Sequence, residues 1–306
     1  MAPGKLVFEF THDRLHVGDD IHIGRFYKIV KAMAWYINGK DGTTQVAIKM
    51  VNDSDQTRAN ILRGNLLKEI KLLKRLSSNR NVTKLLGCCT RQDPVYLITE
   101  YAPHGDLKTF LTEHRKQSEN ATGGFSQNHL LSFAIDVAKG MEYLAENKVI
   151  HRYLAAKHVL VYEGKTCKIS GFSYASDVVS DHDFFEMNKN CLPYRWMALE
   201  SLTQKEFTFE SDVWSFGVVL YEIITQGDTP YMDMKKIELI SALKGGRRMK
   251  EPDNCGELLY ETILSCSKTD PRSRPTFSML LKTLHDLNNS EEEQILHKKH
   301  SHTQLE

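Results

Sequence analysis

The stretch VIHRYLAAKHVLVYEGKTCKISGFS, Val149 to Ser173, gathers His151, Arg152, Tyr153, Lys157 and His158 in one short run. Each residue type limits the chemistry available. An imidazole titrates near neutrality and suits a general base. A phenol, with a pKa of ~10, stays protonated at neutral pH and accepts no proton. Imidazole is also a poor ligand for Mg²⁺, which prefers hard oxygens. His158 could serve as such a base, and a packed or hydrogen-bonded histidine is its plainer reading.

These residues must be held by something. VLVYEGKTCKIS reads as two short β-rich runs joined by Glu163-Gly164-Lys165, a hairpin by turn chemistry. HRYLAAKH flanks it on one side and GFS on the other. Upstream, QVAIKMV is a short apolar strand, and PVYLITEY is another that begins just after Pro94. Between them Leu62, Leu66, Glu69 and Leu73 fall at i, i+4, i+7 and i+11, which places Glu69 on the inward stripe of a helix.

From Asp106 onward the pattern turns helical, with Leu130, Ala134, Val137, Ala138, Met141, Leu144 and Ala145 on one face of a long segment. TEHRKQSENATGGFSQNH, residues 112–129, is polar and aperiodic and reads as a surface loop. The charged end, NNSEEEQILHKKHSHTQLE, reads as a frayed tail.

Composition narrows the classes. The 306 residues, 41% hydrophobic and 26% charged, suffice for one large domain or two lobes. Forty Lys+Arg against 39 Asp+Glu leave a net charge of +1, so no bulk field argues for nucleic acid or an anionic membrane. The six cysteines show neither a CxxC pair nor ligand spacing with histidine and read as reduced, buried thiols. The longest apolar run, Val213 to Ile224, is too short and too interrupted to span a bilayer, and the N-terminus does not read as a signal peptide. Any membrane anchor is expected outside this chain.

The motifs are collinear with one family. VAIK (Val46–Lys49) with Glu69, EYAPHGDL, HRYLAAKH, LPYRWMALESL, SDVWSFGVVLYEIIT and DPRSRPTF together resemble a receptor tyrosine kinase domain of the fibroblast-growth-factor-receptor type. The resemblance runs from about His12 to Leu287. It implies an α+β, bilobal protein-kinase fold: a small antiparallel-sheet N-lobe with one main helix and a larger, mainly helical C-lobe. The implied divisions are a juxtamembrane-like segment (1–17), an N-lobe (18–101), a hinge and C-lobe (102–288) with a kinase-insert-like loop (112–129), and a tail (289–306).

Set against the family's H-R-D-L-x-x-x-N, Tyr153 stands at the aspartate base and His158 at the metal-binding asparagine. Against D-F-G, Gly171 stands at the second metal ligand. Base and both metal ligands are thus absent from their places, so no metal is expected. The glycine-rich loop is implied at His22–Ile29 and keeps only Gly24, with His22 and Tyr27 carrying side chains into phosphate space. Lys49 and Glu69 match the nucleotide-positioning ion pair, and a salt bridge that ties the helix to the sheet is an equal reading of the same two residues. Ala47, Thr99, Leu160 and the backbones of Glu100 and Ala102 match an adenine slot and hinge. Phe184 and Phe185 replace the activation-segment tyrosines, so the usual phosphorylation switch is lost. Glu200 with Arg274, and Asp212, match buried polar groups of the helical lobe.

Taken together, the resemblance implies a catalytically inactive pseudokinase, a signalling scaffold or allosteric partner that is the cytoplasmic domain of a receptor at the plasma membrane, with protein partners such as an active receptor tyrosine kinase or a second copy of itself and no nucleic acid bound. No cofactor is expected, and weak metal-independent ATP binding through Lys49 is left open. The alternative is a divergent phosphotransferase or nucleotide-sensing module using Lys49 and His158.

Overall fold

In the strand Tyr27–Trp35 (β2), Val30, Ala32 and Ala34 are buried in alternation, and in Thr43–Val51 (β3) so are Val46, Ile48 and Met50. A two-residue period of this kind sends one face of each strand into a shared core. The computed structural model describes residues 8–76, 78–118, 124–177, 192–253 and 255–303, with side chains described for all of these but residues 38, 118, 177 and 291–303. Phe184, Phe185 and residues 119–123 lie outside the described residues.

The chain divides into two units, Met1–Pro103 and His104–Glu306. Unit 1 is a five-stranded antiparallel sheet. Leu15–Ile23 (β1), β2, β3, Tyr96–Glu100 (β5) and Leu85–Cys89 (β4) lie in the order β1-β2-β3-β5-β4. Its helix, Gln56–Arg75 (α1), is capped by the Asp55 carboxylate, which accepts from the Arg58 N–H at 2.8 Å. Leu62, Leu66, Glu69 and Leu73 are buried on it, as their spacing predicts.

Residues 8–14 are part of this unit. Phe10 is in the core, and its N–H donates to the Cys88 carbonyl at 2.7 Å. The Glu9 carboxylate accepts from the Thr90 N–H (2.9 Å), the Thr90 hydroxyl (2.8 Å) and the Arg91 N–H (3.2 Å). An apolar side chain and a gripped carboxylate fix the segment before β1 begins.

Unit 2 is helical around Leu107–Ser118 (α2), Gln127–Glu146 (α3), Leu199–Thr203 (α4), Phe209–Ile224 (α5), Lys236–Lys244 (α6), Glu257–Cys266 (α7) and Phe277–Thr303 (α8). Two short antiparallel pairs accompany them: Val149–Ile150 (β6) with Ser176–Asp177 (β9), and Val159–Val161 (β7) with Cys167–Ile169 (β8). The β7–β8 hairpin is the one its turn residues predict, with Gly164 at φ 68°. Helix α5 is buried along most of its length, and Gly217 lets it approach α7: a Cβ there would lie 2.6 Å from that of Cys266.

Two loop expectations are corrected. Residues 112–129 are not one loop, because α2 continues to Ser118 and α3 starts at Gln127. Phe110 and His114, one helical turn apart, both pack on Phe125, whose ring stacks on His114 at 4.4 Å. The end of the chain is not frayed but continues α8 to Thr303. That stretch holds good helix formers and neither glycine nor proline to stop it.

The two units make up the α+β, bilobal architecture implied by the motifs.

Candidate functional site

Unit 1 supplies one group of candidate residues. Lys49, on β3, donates to the Glu69 carboxylate on α1 at 2.6 Å. Both side chains are largely withdrawn from solvent, at 14% and 5% exposure. Desolvated charges this close hold strand and helix together, since removing either would strand the other.

Tyr27 completes the group. Its ring centroid lies 4.6 Å from the Lys49 ammonium, and its hydroxyl donates to the Leu62 carbonyl on α1 at 3.1 Å. The ring therefore faces a cation already paired with Glu69, a favourable cation–π geometry. Sequence reasoning placed Tyr27 in phosphate space but missed that it would cap the lysine.

The turn before it is closed. The Gly24 N–H donates to the Tyr27 carbonyl at 2.9 Å, and the Asn52 amide donates to the Gly24 carbonyl at 3.3 Å. His22 folds back so that its Nε2 would lie 3.3 Å from a Cβ on Gly24. A phosphate-binding loop needs its backbone N–H groups turned outward, and the N–H of Gly24 is already committed.

Ala47 and Thr99 are register partners on β3 and β5, and Val46 pairs with Glu100. The Glu100 carboxylate accepts from the Lys84 N–H at 2.8 Å, while its own N–H donates to the Lys84 carbonyl at 3.3 Å. Ala102 follows β5 and is half-buried. Leu160 is in unit 2, on β7, where it bridges to Asp106.

In unit 2 the three altered positions come together. The Tyr153 ring lies 4.3 Å from the His158 imidazole and stacks on Tyr174 at 4.3 Å and 24°. Gly171 closes the cluster: it has φ 78°, and an ideal Cβ on it would be 2.8 Å from His158 Nδ1. Only glycine fits both that backbone and that contact. Tyr174 was not foreseen, although a third aromatic three residues past Gly171 was a signal for it.

The backbone around the cluster is firmly held. The Asp212 carboxylate accepts from the His151 N–H at 2.7 Å and the Arg152 N–H at 2.9 Å, which supports Arg152 at φ 65°. Asp212 is fully buried, and desolvation pushes its carboxyl up to about 7. His151 is also fully buried. Its Nε2–H donates to the Ser170 carbonyl at 2.8 Å, and desolvation drives its pKa down to about 4, so the ring is neutral.

Nearby, Glu222 accepts from the Ala156 N–H and the Trp196 indole N–H, both at 2.8 Å. Arg274 forks onto Glu200 at 2.6 and 2.9 Å. These contacts fix architecture.

As a metal site the cluster does not fit. Mg²⁺ asks for oxygen ligands in an octahedron, whereas the places corresponding to its ligands hold an imidazole and a glycine packed against each other. Among the described residues no group of three His, Cys, Asp or Glu side chains is placed to hold a metal ion. No helix among them is long and apolar enough to cross a membrane.

The fold and this arrangement of residues define a protein-kinase domain. A family model described as protein tyrosine and serine/threonine kinase matches residues 15–284, and the chain belongs to that family. It is 36% identical over 293 residues to the tyrosine kinase receptor Cad96Ca of Drosophila melanogaster, covering 94% of this chain and 38% of that protein. It is 38% identical over 284 residues to a fibroblast growth factor receptor of Strongylocentrotus purpuratus, covering 90% and 29%. To fibroblast growth factor receptor 1 of Pleurodeles waltl it is 38% identical over 287 residues, covering 90% and 35%. The chain thus spans 29% to 38% of the length of these relatives.

Proposed function

We propose that this domain does not transfer phosphate and works instead as a tyrosine-kinase-type pseudokinase, a scaffold or allosteric partner for other proteins. The observation that carries the reading is the packed cluster of Tyr153, His158, Gly171 and Tyr174. Phosphoryl transfer needs a carboxylate to receive the hydroxyl proton and oxygen ligands to hold metal on the phosphates. At the corresponding places this chain has a phenol stacked between two rings, an imidazole and a hydrogen atom. Replacing a general base alone typically costs ~10²–10⁴ in rate.

The relatives are named as receptors, which supports a cytoplasmic domain of a receptor, reaching the membrane through a segment outside this chain. Its partners on this reading are an active receptor tyrosine kinase or a second copy of itself. No cofactor is required and no nucleic acid is bound.

A second reading is favoured by one observation, the intact Lys49–Glu69 pair, and by relatives named as kinases and growth-factor receptors. On it the domain binds nucleotide through Lys49, as a sensor or a divergent phosphotransferase with His158 as base. Metal-independent ATP binding of this kind requires Tyr27 to leave Lys49.

Thermal melting with ATP, with and without Mg²⁺ or Mn²⁺, followed by mass spectrometry for transferred phosphate or nucleotide, separates the two. The pseudokinase reading expects no product. A specific modification abolished by Lys49→Ala would sink it.

A further inference from the structure

All twelve tyrosines lie among the described residues, and eleven are buried or half-buried. Tyr36 alone is exposed, at 58%. It sits between β2 and β3, at φ 54°, a left-handed conformation outside the strand ladder. The same turn holds Gly39 at φ 69° and Gly42 at φ 83°, each with open space around the place of a Cβ.

The turn is anchored to the core while Tyr36 itself stays exposed. Ile37 is 1% exposed and belongs to the unit 1 core. The Tyr36 N–H donates to the Gly42 carbonyl at 3.0 Å, and the Arg14 guanidinium donates to the Trp35 and Tyr36 carbonyls at 2.8 and 2.7 Å. An incoming enzyme thus meets one accessible phenol on a short connection whose glycines let it adapt.

We propose that Tyr36 is a phosphorylation site, modified in trans by an active tyrosine kinase with ATP as donor; the "in trans" part rests on the inactivity proposed above. In the step the bond from the γ-phosphorus to its bridging oxygen breaks and ADP departs. A bond from that phosphorus to the Tyr36 oxygen forms, and the phenol proton passes to the acting kinase's base. The product is a near-dianionic phosphate on the rim of unit 1, of the kind that arginine side chains grip bidentately. With phenylalanine at 184 and 185, this places the modification on the small unit instead of the activation segment.

The test incubates the full chain with ATP and Mg²⁺, with or without the kinase domain of an active receptor tyrosine kinase chosen because it labels a peptide of residues 31–45. Mass spectrometry maps the phosphate. The expected result is phosphate on Tyr36 only when the second kinase is present, lost in Tyr36→Phe, whose melting temperature is unchanged. Label on Tyr36 without the added kinase, abolished by Lys49→Ala, would overturn the in-trans route and the inactivity reading while keeping the site. Label on other tyrosines with Tyr36 unmodified, or no label on the folded chain, would overturn the site itself.

Discussion

The ring of Tyr27 lies 4.6 Å from the ammonium of Lys49, which is itself bonded to Glu69 at 2.6 Å. One cation thus serves a carboxylate and an aromatic face together, and the tyrosine hydroxyl ties the arrangement to α1 through Leu62. Any anion seeking Lys49 competes with both.

Tyr27→Ala should uncover the lysine. The variant is expected to show a larger rise in melting temperature with metal-free ATP than the parent chain, and Tyr27→Ala/Lys49→Ala should lose that rise. Tyr27→Phe keeps the ring and forfeits one hydrogen bond, a loss of ~0.5–1.5 kcal/mol in stability with little change in ATP response. Equal ATP responses in Tyr27→Ala and the parent would refute the capping role.

Breaking the buried pair should cost more than deleting it. Glu69→Gln strands the Lys49 ammonium and is expected to destabilise by about 3 kcal/mol, whereas Lys49→Met/Glu69→Leu should lie closer to the parent. A double-mutant cycle by denaturant unfolding reads the coupling directly. A coupling near zero would mean that the pair is only a surface contact.

In unit 2, Gly171→Asp asks a β-carbon to occupy space taken by His158 on a backbone at φ 78°. Overpacking and left-handed strain together predict a loss of about 2–4 kcal/mol. Adding His158→Asn should recover the overpacking part, about half, leaving the backbone part. Calorimetric melting of the parent, both single variants and the double variant checks this, and strict additivity would contradict the contact.

The pH dependence follows from two fully buried groups. His151, lowered from 6.5 to about 4, contributes stability that is complete above its ordinary value and lost as pH falls toward 4. Asp212, raised from 3.8 to about 7, contributes stability that is complete below its ordinary value and lost as pH rises through 7. Between about pH 4 and 7 the two oppose, so acidification moves the parent's stability little through them. Asp212→Asn removes one side. Its stability should then fall by up to about 1.4 kcal/mol per pH unit below about 6.5, visible as a falling melting temperature from pH 7 to 5 that the parent lacks.

The sequence made the lobes and much of the site legible where local pattern and tertiary need agree. Glu69 on a leucine stripe calls for a cation, and Lys49 on the apolar strand provides it. Glu163-Gly164-Lys165 closes a hairpin because glycine accepts the φ that the turn needs. What escaped depends on where a ring points once the chain has folded. Nothing in the spacing says that Tyr27 turns onto Lys49, or that Tyr174 stacks on Tyr153. The extents of α2 and α8 were missed because polar composition was read as loop, while Phe125 packing on α2 and the lack of breakers near the end of the chain outweighed it.

The contact between His158 and Gly171 also bears on how this sequence can change. A lone aspartate at 171 meets the imidazole, and a lone asparagine at 158 finds no carboxylate opposite it. With Tyr153 stacked between His158 and Tyr174, a third position would have to change as well. Each single step toward a metal-holding arrangement is therefore either obstructed or unrewarded. On the pseudokinase reading proposed above, the packing acts as a ratchet: a return to phosphoryl transfer lies across a set of changes that must occur together.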